Sequence, residues 1–400
     1  MLVPIDSAAV LPSRSPIGAR AVYLASLGDS TDPRTFSGIP FHMAAAGMRT
    51  GTLAGGLRLG VGGRPRRMGR WMWNLRQLLR GRGIGGYQYS RGFLEMLWSQ
   101  SLPALRGATV VNLFQLYPPS VIADNSICKI SYVDMTLRQL FEAYEVEGRI
   151  GRPIAREALE LERQGYLSAR VVGAHSRWAA DSLHSGYGIP WERIRIAVPG
   201  ANLDASAYAE WERRAGLRAE NFARILRLVW VGKEWHRKGL DRLIGGIAAG
   251  RRHGLQAHLT VIGCPRRSVP AHLRSIPGIT WLGFIDKSAE PLRFMNLVAS
   301  ADVGCLLSRA EAGGIALREF HALGLPVLGT TAGGSSDHVL PGASIAVPAE
   351  AGCAEIGNLL LRLNRSPEAL RDMRRVAWRL RKTCLWEHTL QQLSPVLVAP

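Results

Sequence analysis

The chain has 400 residues, 47% hydrophobic and 20% charged, with 50 Lys+Arg against 31 Asp+Glu and a formal net charge of +19. At ~100–200 residues per domain this is a two-domain length, and the composition excludes a largely disordered chain. No run reaches the ~18–20 consecutive apolar residues of a membrane-spanning helix, and the first twenty residues lack the basic start and apolar run of a secretory signal.

The charge is unevenly placed. Only five of the basic residues are Lys, and between Asp32 and Glu95 there is no acidic residue but eleven Arg, from Arg34 to Arg91. Such a field suits nucleic acid, an anionic membrane surface or a phosphorylated substrate. The five cysteines (Cys128, Cys264, Cys305, Cys353, Cys384) form no Cys-x-x-Cys pair and no zinc spacing. They read as reduced structural thiols, which places the chain in the cytoplasm.

In chain order, apolar β-branched runs predict strands at Ala21–Ala25, Val110–Phe114, Ile130–Val133, Val171–Gly173 and Ile194–Val198. The Gly- and Arg-rich stretch from Gly51 to Gly92 resists assignment, except that Arg70–Arg80 has apolar residues at near-helical spacing. That is either a basic amphipathic helix for a membrane surface or a core-facing helix with a solvated Arg face. Periodicity breaks after Pro199-Gly-Ala-Asn202. Further strands are predicted at Leu226–Val231, His258–Ile262, Ile279–Leu282, Val303–Leu307, Pro326–Leu328 and Ile345–Val347, with helices at Gly239–Ala249, Pro291–Ala299, Ile315–Leu323 and Trp386–Leu397. Apolar strands alternating with helices predict parallel sheets covered on both faces. The reading is an α/β chain of two doubly wound domains of similar size, 1–202 and 203–383, followed by a terminal amphipathic helix. Ligands in such sheets bind at the carboxyl ends of the strands, and a cleft between two domains is the natural site.

Three turns carry candidate chemistry. In Ser308-Arg-Ala-Glu311-Ala-Gly313-Gly314-Ile315-Ala-Leu-Arg-Glu319 a strand ends and a helix begins. Two glycines allow close backbone approach, and the helix amino terminus favours an anion such as phosphate. Glu311 and Glu319 suit paired sugar hydroxyls, the first on a hexose, the second on a ribose; a plain turn with solvated acids is the alternative. In Val231-Gly232-Lys233-Glu-Trp-His-Arg237-Lys238-Gly239 two of the five lysines stand where a diphosphate could be neutralised, with Arg237 as a helper. In Phe36-Ser37-Gly38-Ile39-Pro40, Gly38 allows tight approach to phosphate or sugar. There is no Asp-x-Asp and no metal-ligand cluster, so lysines and helix amides would have to neutralise a diphosphate. The absence of Gly-x-x-x-x-Gly-Lys-Ser/Thr removes a P-loop enzyme.

Taken in order, these segments resemble the retaining glycosyltransferases of family 4, which have the two-domain GT-B fold. The carrying residues are Ser37-Gly38, Gly232-Lys233 through Lys238-Gly239, Glu311 through Glu319, Gly324-Leu-Pro326-Val327 and Gly333-Gly334, and the resemblance spans residues 20–395. It implies two Rossmann-like domains facing each other across a cleft, with 384–400 as a C-terminal helix crossing back to the first, and metal-independent transfer of a hexose from a nucleotide-diphosphate sugar, with no cofactor. The acceptor would be a glycan or a lipid-linked molecule, as in surface polysaccharide synthesis. Lys233 and Lys238 would bind the diphosphate and Glu311 the donor sugar. The backbone at Gly313, Gly314 and Ile315 would meet phosphate and sugar. Glu319 would hold the ribose, Gly283 and Phe284 would lie near the base, and Gly38 would approach the diphosphate from the first domain. Lys233 departs from the Arg often found there, keeping the charge but not the bidentate fork. Asp134 stands where the family often has a His or Asp beside the acceptor; the alternative is the N-cap of a helix over Thr136–Glu142. The stretch Arg58–Arg82, with eight Arg, Trp71 and Trp73, would place the chain at the inner membrane face. A GT-B chain that has lost catalysis and a basic nucleic-acid-binding protein are the competing readings, the latter without any recognised binding motif.

Overall fold

The apolar runs become two parallel six-stranded sheets in a computed structural model that describes residues 20–60, 63–215 and 225–397. The reading of the amino terminus as lacking a signal falls on residues 1–19, outside the described residues. The strands in chain order are β1 (Val22–Ala25), β2 (Gly28–Asp29), β3 (Gly55–Gly56), β4 (Arg58–Leu59), β5 (Thr109–Asn112), β6 (Cys128–Val133), β7 (Val171–Ala174), β8 (Ile194–Ile196), β9 (Leu226–Val231), β10 (Ala257–Ile262), β11 (Ile279–Gly283), β12 (Val303–Leu306), β13 (Val327–Thr330) and β14 (Ser344–Val347). One compact unit runs to Ala197 and takes in the chain from Leu390 onward; the other is Val198–Thr389.

The first unit's sheet has the order β3-β1-β5-β6-β7-β8, and β2 and β4 form a separate antiparallel pair. The order reverses between β1 and β5. β5 stops two residues before the predicted Phe114 because the Asn112 side chain bridges the turn, accepting from Phe114 N at 3.1 Å and donating to Leu116 O at 3.1 Å. The Gly51–Gly92 stretch resolves into β3, β4, a helix Gly63–Leu79, a turn Tyr87–Tyr89 and a helix Arg91–Trp98. The helix beyond β6 is Leu137–Ala143, and its N-cap is Thr136 in a reciprocal capping box with Gln139. Asp134 is therefore not that cap, because the helix starts one residue later than predicted and Thr136 satisfies its amides.

Glu162, on the helix Arg152–Ser168, is fully buried in this unit. It accepts from Leu137 N and Tyr166 Oη, each at 2.7 Å, and from the Tyr187 hydroxyl. Burial pushes its carboxyl from 4.5 up to about 8, against the pull of these donors. Between those two values the folded unit binds more protons than the unfolded chain, so stability is full below pH 4.5 and declines as pH rises towards 8. Denaturant midpoints taken across this window should fall with pH for the native chain, and Glu162→Gln should flatten the slope.

The second unit's sheet has the order β11-β10-β9-β12-β13-β14, all parallel, and reverses between β9 and β12. Its central strand supplies both faces. Leu226, Leu228 and Trp230 enter one core with the helices Leu240–Arg251 and Cys353–Arg365. Val229 and Val231 enter the other, with Ala205–Ala215, Pro291–Ala299 and Ile315–Ala322. Alternate side chains thus leave water on opposite sides, which is why β9 is apolar from Leu228 to Val231. β13 begins at Val327 and not at Pro326, whose nitrogen has no hydrogen to donate. Two doubly wound parallel sheets are the GT-B pattern expected above.

Candidate functional site

The carboxyl ends of β9 and β12 flank the reversal of the second sheet, the position where open α/β sheets bind ligands. β9 runs into Gly232, whose N–H continues the ladder to Ile262 O at 2.9 Å. A Cβ on Gly232 would stand 2.6 Å from Lys238 Cδ, so the stem of Lys238 lies over this glycine. The turn closes at Gly239, in the left-handed region at φ 67°, and a side chain there would collide with the carbonyl oxygen of Leu307 at the end of β12. Trp230 Nε1 donates to Lys238 O at 3.2 Å and ties the turn to the core beneath.

The loop after β12 is stitched to this turn. Arg309 N donates to Arg237 O at 2.8 Å, and Arg237 donates to Ala310 O at 2.9 Å. Arg309 grips Asp241 in a fork of 2.9 and 2.7 Å, the bidentate geometry that a guanidinium favours. Glu311 is the product of that stitching. Its Oε2 accepts from Ser308 Oγ at 3.1 Å and lies 3.5 Å from Arg237 and 3.8 Å from Lys238. Its backbone oxygen accepts from Gly334 N at 3.0 Å, and a side chain on Gly333 would run into that same oxygen. The Gly333-Gly334 turn therefore clamps Glu311 from the far side.

Gly313 and Gly314 lead into the helix Ile315–Ala322, whose amino terminus no side chain caps. Its first-turn amides carry partial positive charge, and the loop that leads into it sets Glu311 against the cations of the β9 turn, an arrangement suited to phosphate. Glu319, one turn into the helix, has a side chain only 1% exposed and forms an ion pair with Lys287. The Lys287 ammonium also stands 4.6 Å above the Phe294 ring. Gly283 ends β11 at φ 68°, and its oxygen accepts from Gly263 N at 2.6 Å. Phe284 projects into solvent, with Lys233 Nζ 5.1 Å above its ring.

The structure thus brings Lys238, Arg237 and Glu311 into one cluster, Lys233 onto Phe284, and Glu319 onto Lys287. The pairing of Lys287 was not foreseen from the sequence; its scarcity as a lysine was the one available signal. Gly38 and Asp134 belong to the first unit. Gly38 (φ 84°) is the N-cap of the helix Ile39–Thr50 and follows Phe36 (φ 45°) and Ser37 (φ 58°), three left-handed residues in a row. Such a run costs ~1–3 kcal/mol per non-glycine residue and recurs at functional turns. Asp134, half-buried just past β6, accepts from Met135 N at 2.9 Å. Among the described residues no three His, Cys, Asp or Glu side chains group as metal ligands.

Residues 226–364 match the family profile described as Glycosyl transferases group 1. That segment contains every residue of the second-unit cluster. The chain is 26% identical over 200 residues to a D-inositol 3-phosphate glycosyltransferase of Paenarthrobacter aurescens (strain TC1), 48% of each chain being aligned. It spans about half the length of the curated relatives it matches. Among solved structures it resembles WaaG, a glycosyltransferase involved in lipopolysaccharide biosynthesis, at TM-score 0.59 and 15% identity over 95% of this chain and 100% of that one. It also resembles Anabaena Alr3699/HepE in complex with UDP and glucose, at TM-score 0.60 and 15% identity, over 94% and 99%. These likenesses extend along nearly the whole chain and show the GT-B fold.

Proposed function

We propose that the chain is a retaining glycosyltransferase that moves a hexose from a nucleotide-diphosphate sugar to a glycan or lipid-linked acceptor, without a metal ion, at the cytoplasmic side of a membrane in surface polysaccharide synthesis. The observation that carries this reading is the cluster at the reversal of the second sheet: two cations, a carboxylate and an uncapped helix amino terminus. In it Lys238, Arg237 and the amides of Gly314 and Ile315 offset the charge that gathers on the departing diphosphate, electrostatic stabilisation of the kind that dominates group transfer. Glu311 takes both cations and Ser308 on Oε2, which leaves Oε1 to accept from the sugar hydroxyls. Glu319 would turn from Lys287 to the ribose diol, and Phe284 would offer its ring to the base. The resemblance assigns Gly38 to the diphosphate and Asp134 to the acceptor, and both belong to the proposal. The UDP-bound relative supports uridine as the first base to test.

Calorimetric titration with UDP tests the site directly. Binding should persist in EDTA. Lys238→Gln should weaken it about tenfold or more, the worth of one charge-assisted hydrogen bond. UDP release from UDP-hexoses then separates a transferase from a chain that binds nucleotide without turnover.

A further inference from the structure

The helix Gly63–Leu79 is bolted to the first unit by one face only. Trp73 Nε1 donates to Gly85 O at 2.7 Å, Asn74 Oδ1 accepts from Gly85 N at 3.2 Å, Gln77 is buried, and Gly69 packs directly on the Tyr87 ring and hydroxyl. Met68, Trp71, Met72, Leu75, Leu78 and Leu79 are all exposed, Trp71 at 65% and Leu78 at 60%. At about 100° per residue these six fall within an arc of ~120° opposite the anchored face. The core-facing alternative for this segment is therefore overturned: the apolar stripe points to water. Among the described residues, the helix packs on the unit from the other side, through Gly69, Trp73, Asn74 and Gln77.

Charge completes the pattern. The helix carries exposed Arg64, Arg66, Arg67, Arg70 and Arg76 and no acidic residue. Arg67 and Arg76 stand on the two flanks of the stripe. No described helix is long and apolar enough to cross a membrane, which leaves the surface of one.

We propose that this helix docks the protein flat on an anionic phospholipid bilayer, with the six apolar side chains entering the headgroup–acyl boundary and Arg64, Arg67 and Arg76, within and beside the stripe, meeting lipid phosphates. Nucleic acid would satisfy the arginines but press Trp71 and Leu78 against phosphates. A second copy of the chain would cover the stripe but set arginine rows of equal sign against each other, which is unfavourable. A bilayer satisfies both features together. This inference does not depend on the donor site.

The test is co-sedimentation of the full chain with vesicles of phosphatidylcholine alone or with one-third phosphatidylglycerol. The protein should pellet with the anionic vesicles, poorly with the neutral ones, and less as salt rises. Trp71→Gln with Leu78→Gln should cut binding at least tenfold. Arg67→Gln with Arg76→Gln should cut it about twenty-fivefold, from about fivefold for each basic residue near an anionic surface. Gln keeps helix propensity, and an unchanged thermal midpoint shows each variant folded. Equal binding to neutral vesicles, or variants that bind as the native chain does, would overturn the proposal. So would a native dimer that the stripe variant converts to monomer without vesicle binding, or salt-sensitive binding to duplex DNA in place of vesicles. UDP binding is a separate readout, so loss of either reading leaves the other standing.

Discussion

Glu319→Gln should lose UDP affinity by about ten- to a hundredfold while the protein stays folded. The carboxylate is almost fully buried and meets one ammonium, Lys287. An amide in its place donates where a ribose hydroxyl must donate, so the exchange removes a charged acceptor worth ~1.5–3 kcal/mol to a bound diol. The fold should lose far less. Lys287 is 35% exposed and its ammonium can turn to water once the carboxylate is gone, which holds the structural cost to the ~1 kcal/mol of a partly screened pair. Calorimetry with UDP and a denaturant titration read the two quantities separately. Full affinity in the variant would remove Glu319 from the proposed nucleotide site.

Gly239→Ala should act in the opposite sense, on the fold first. The residue sits at φ 67°, which costs an L side chain ~1–2 kcal/mol before any contact is counted. Its Cβ would then meet the backbone oxygen of Leu307, which cannot swing aside as a side-chain tip can. To make room, the β9 turn must part from the β12 loop, breaking the Arg309–Arg237 and Arg237–Ala310 links. A loss above ~3 kcal/mol is expected, a large fraction of the ~5–15 kcal/mol that holds a protein folded. A urea midpoint equal to the native one would show that the two loops are not in the close contact described.

Much of the sheet framework is legible in the chain because buried parallel strands have to be apolar throughout. Leu226–Val231 and the helix Pro291–Ala299 stand where the apolar pattern puts them. β3 was invisible for the complementary reason: Gly55 and Gly56 carry no side-chain pattern, and their place is fixed by pairing with Tyr23 and Leu24 on β1. The Arg-rich helix shows a subtler gap. Trp71 and Trp73 are equally apolar in the sequence, and only the packing of Gly69 on Tyr87 decides which of them faces the protein. In the candidate site, glycines and acids at the strand ends were legible as turns that lead from strand to helix. The Asp241 grip on Arg309 and the Lys287 pairing were not, since both join segments whose proximity is set by strand order and not by spacing.

The scarcity of lysine has a practical consequence. Beyond the chain's amino terminus, an amine-selective acylating reagent finds five lysine side chains, and three of them, Lys238, Lys233 and Lys287, meet Glu311, Phe284 and Glu319 of the candidate site. Of the other two, Lys129 is buried with its ammonium on Asp124 O and Ile127 O, and Lys382 is exposed beside Glu212. Chemical labelling read by peptide mass is therefore close to a footprint of the proposed nucleotide site, with Lys382 as the built-in reference and the many arginines silent.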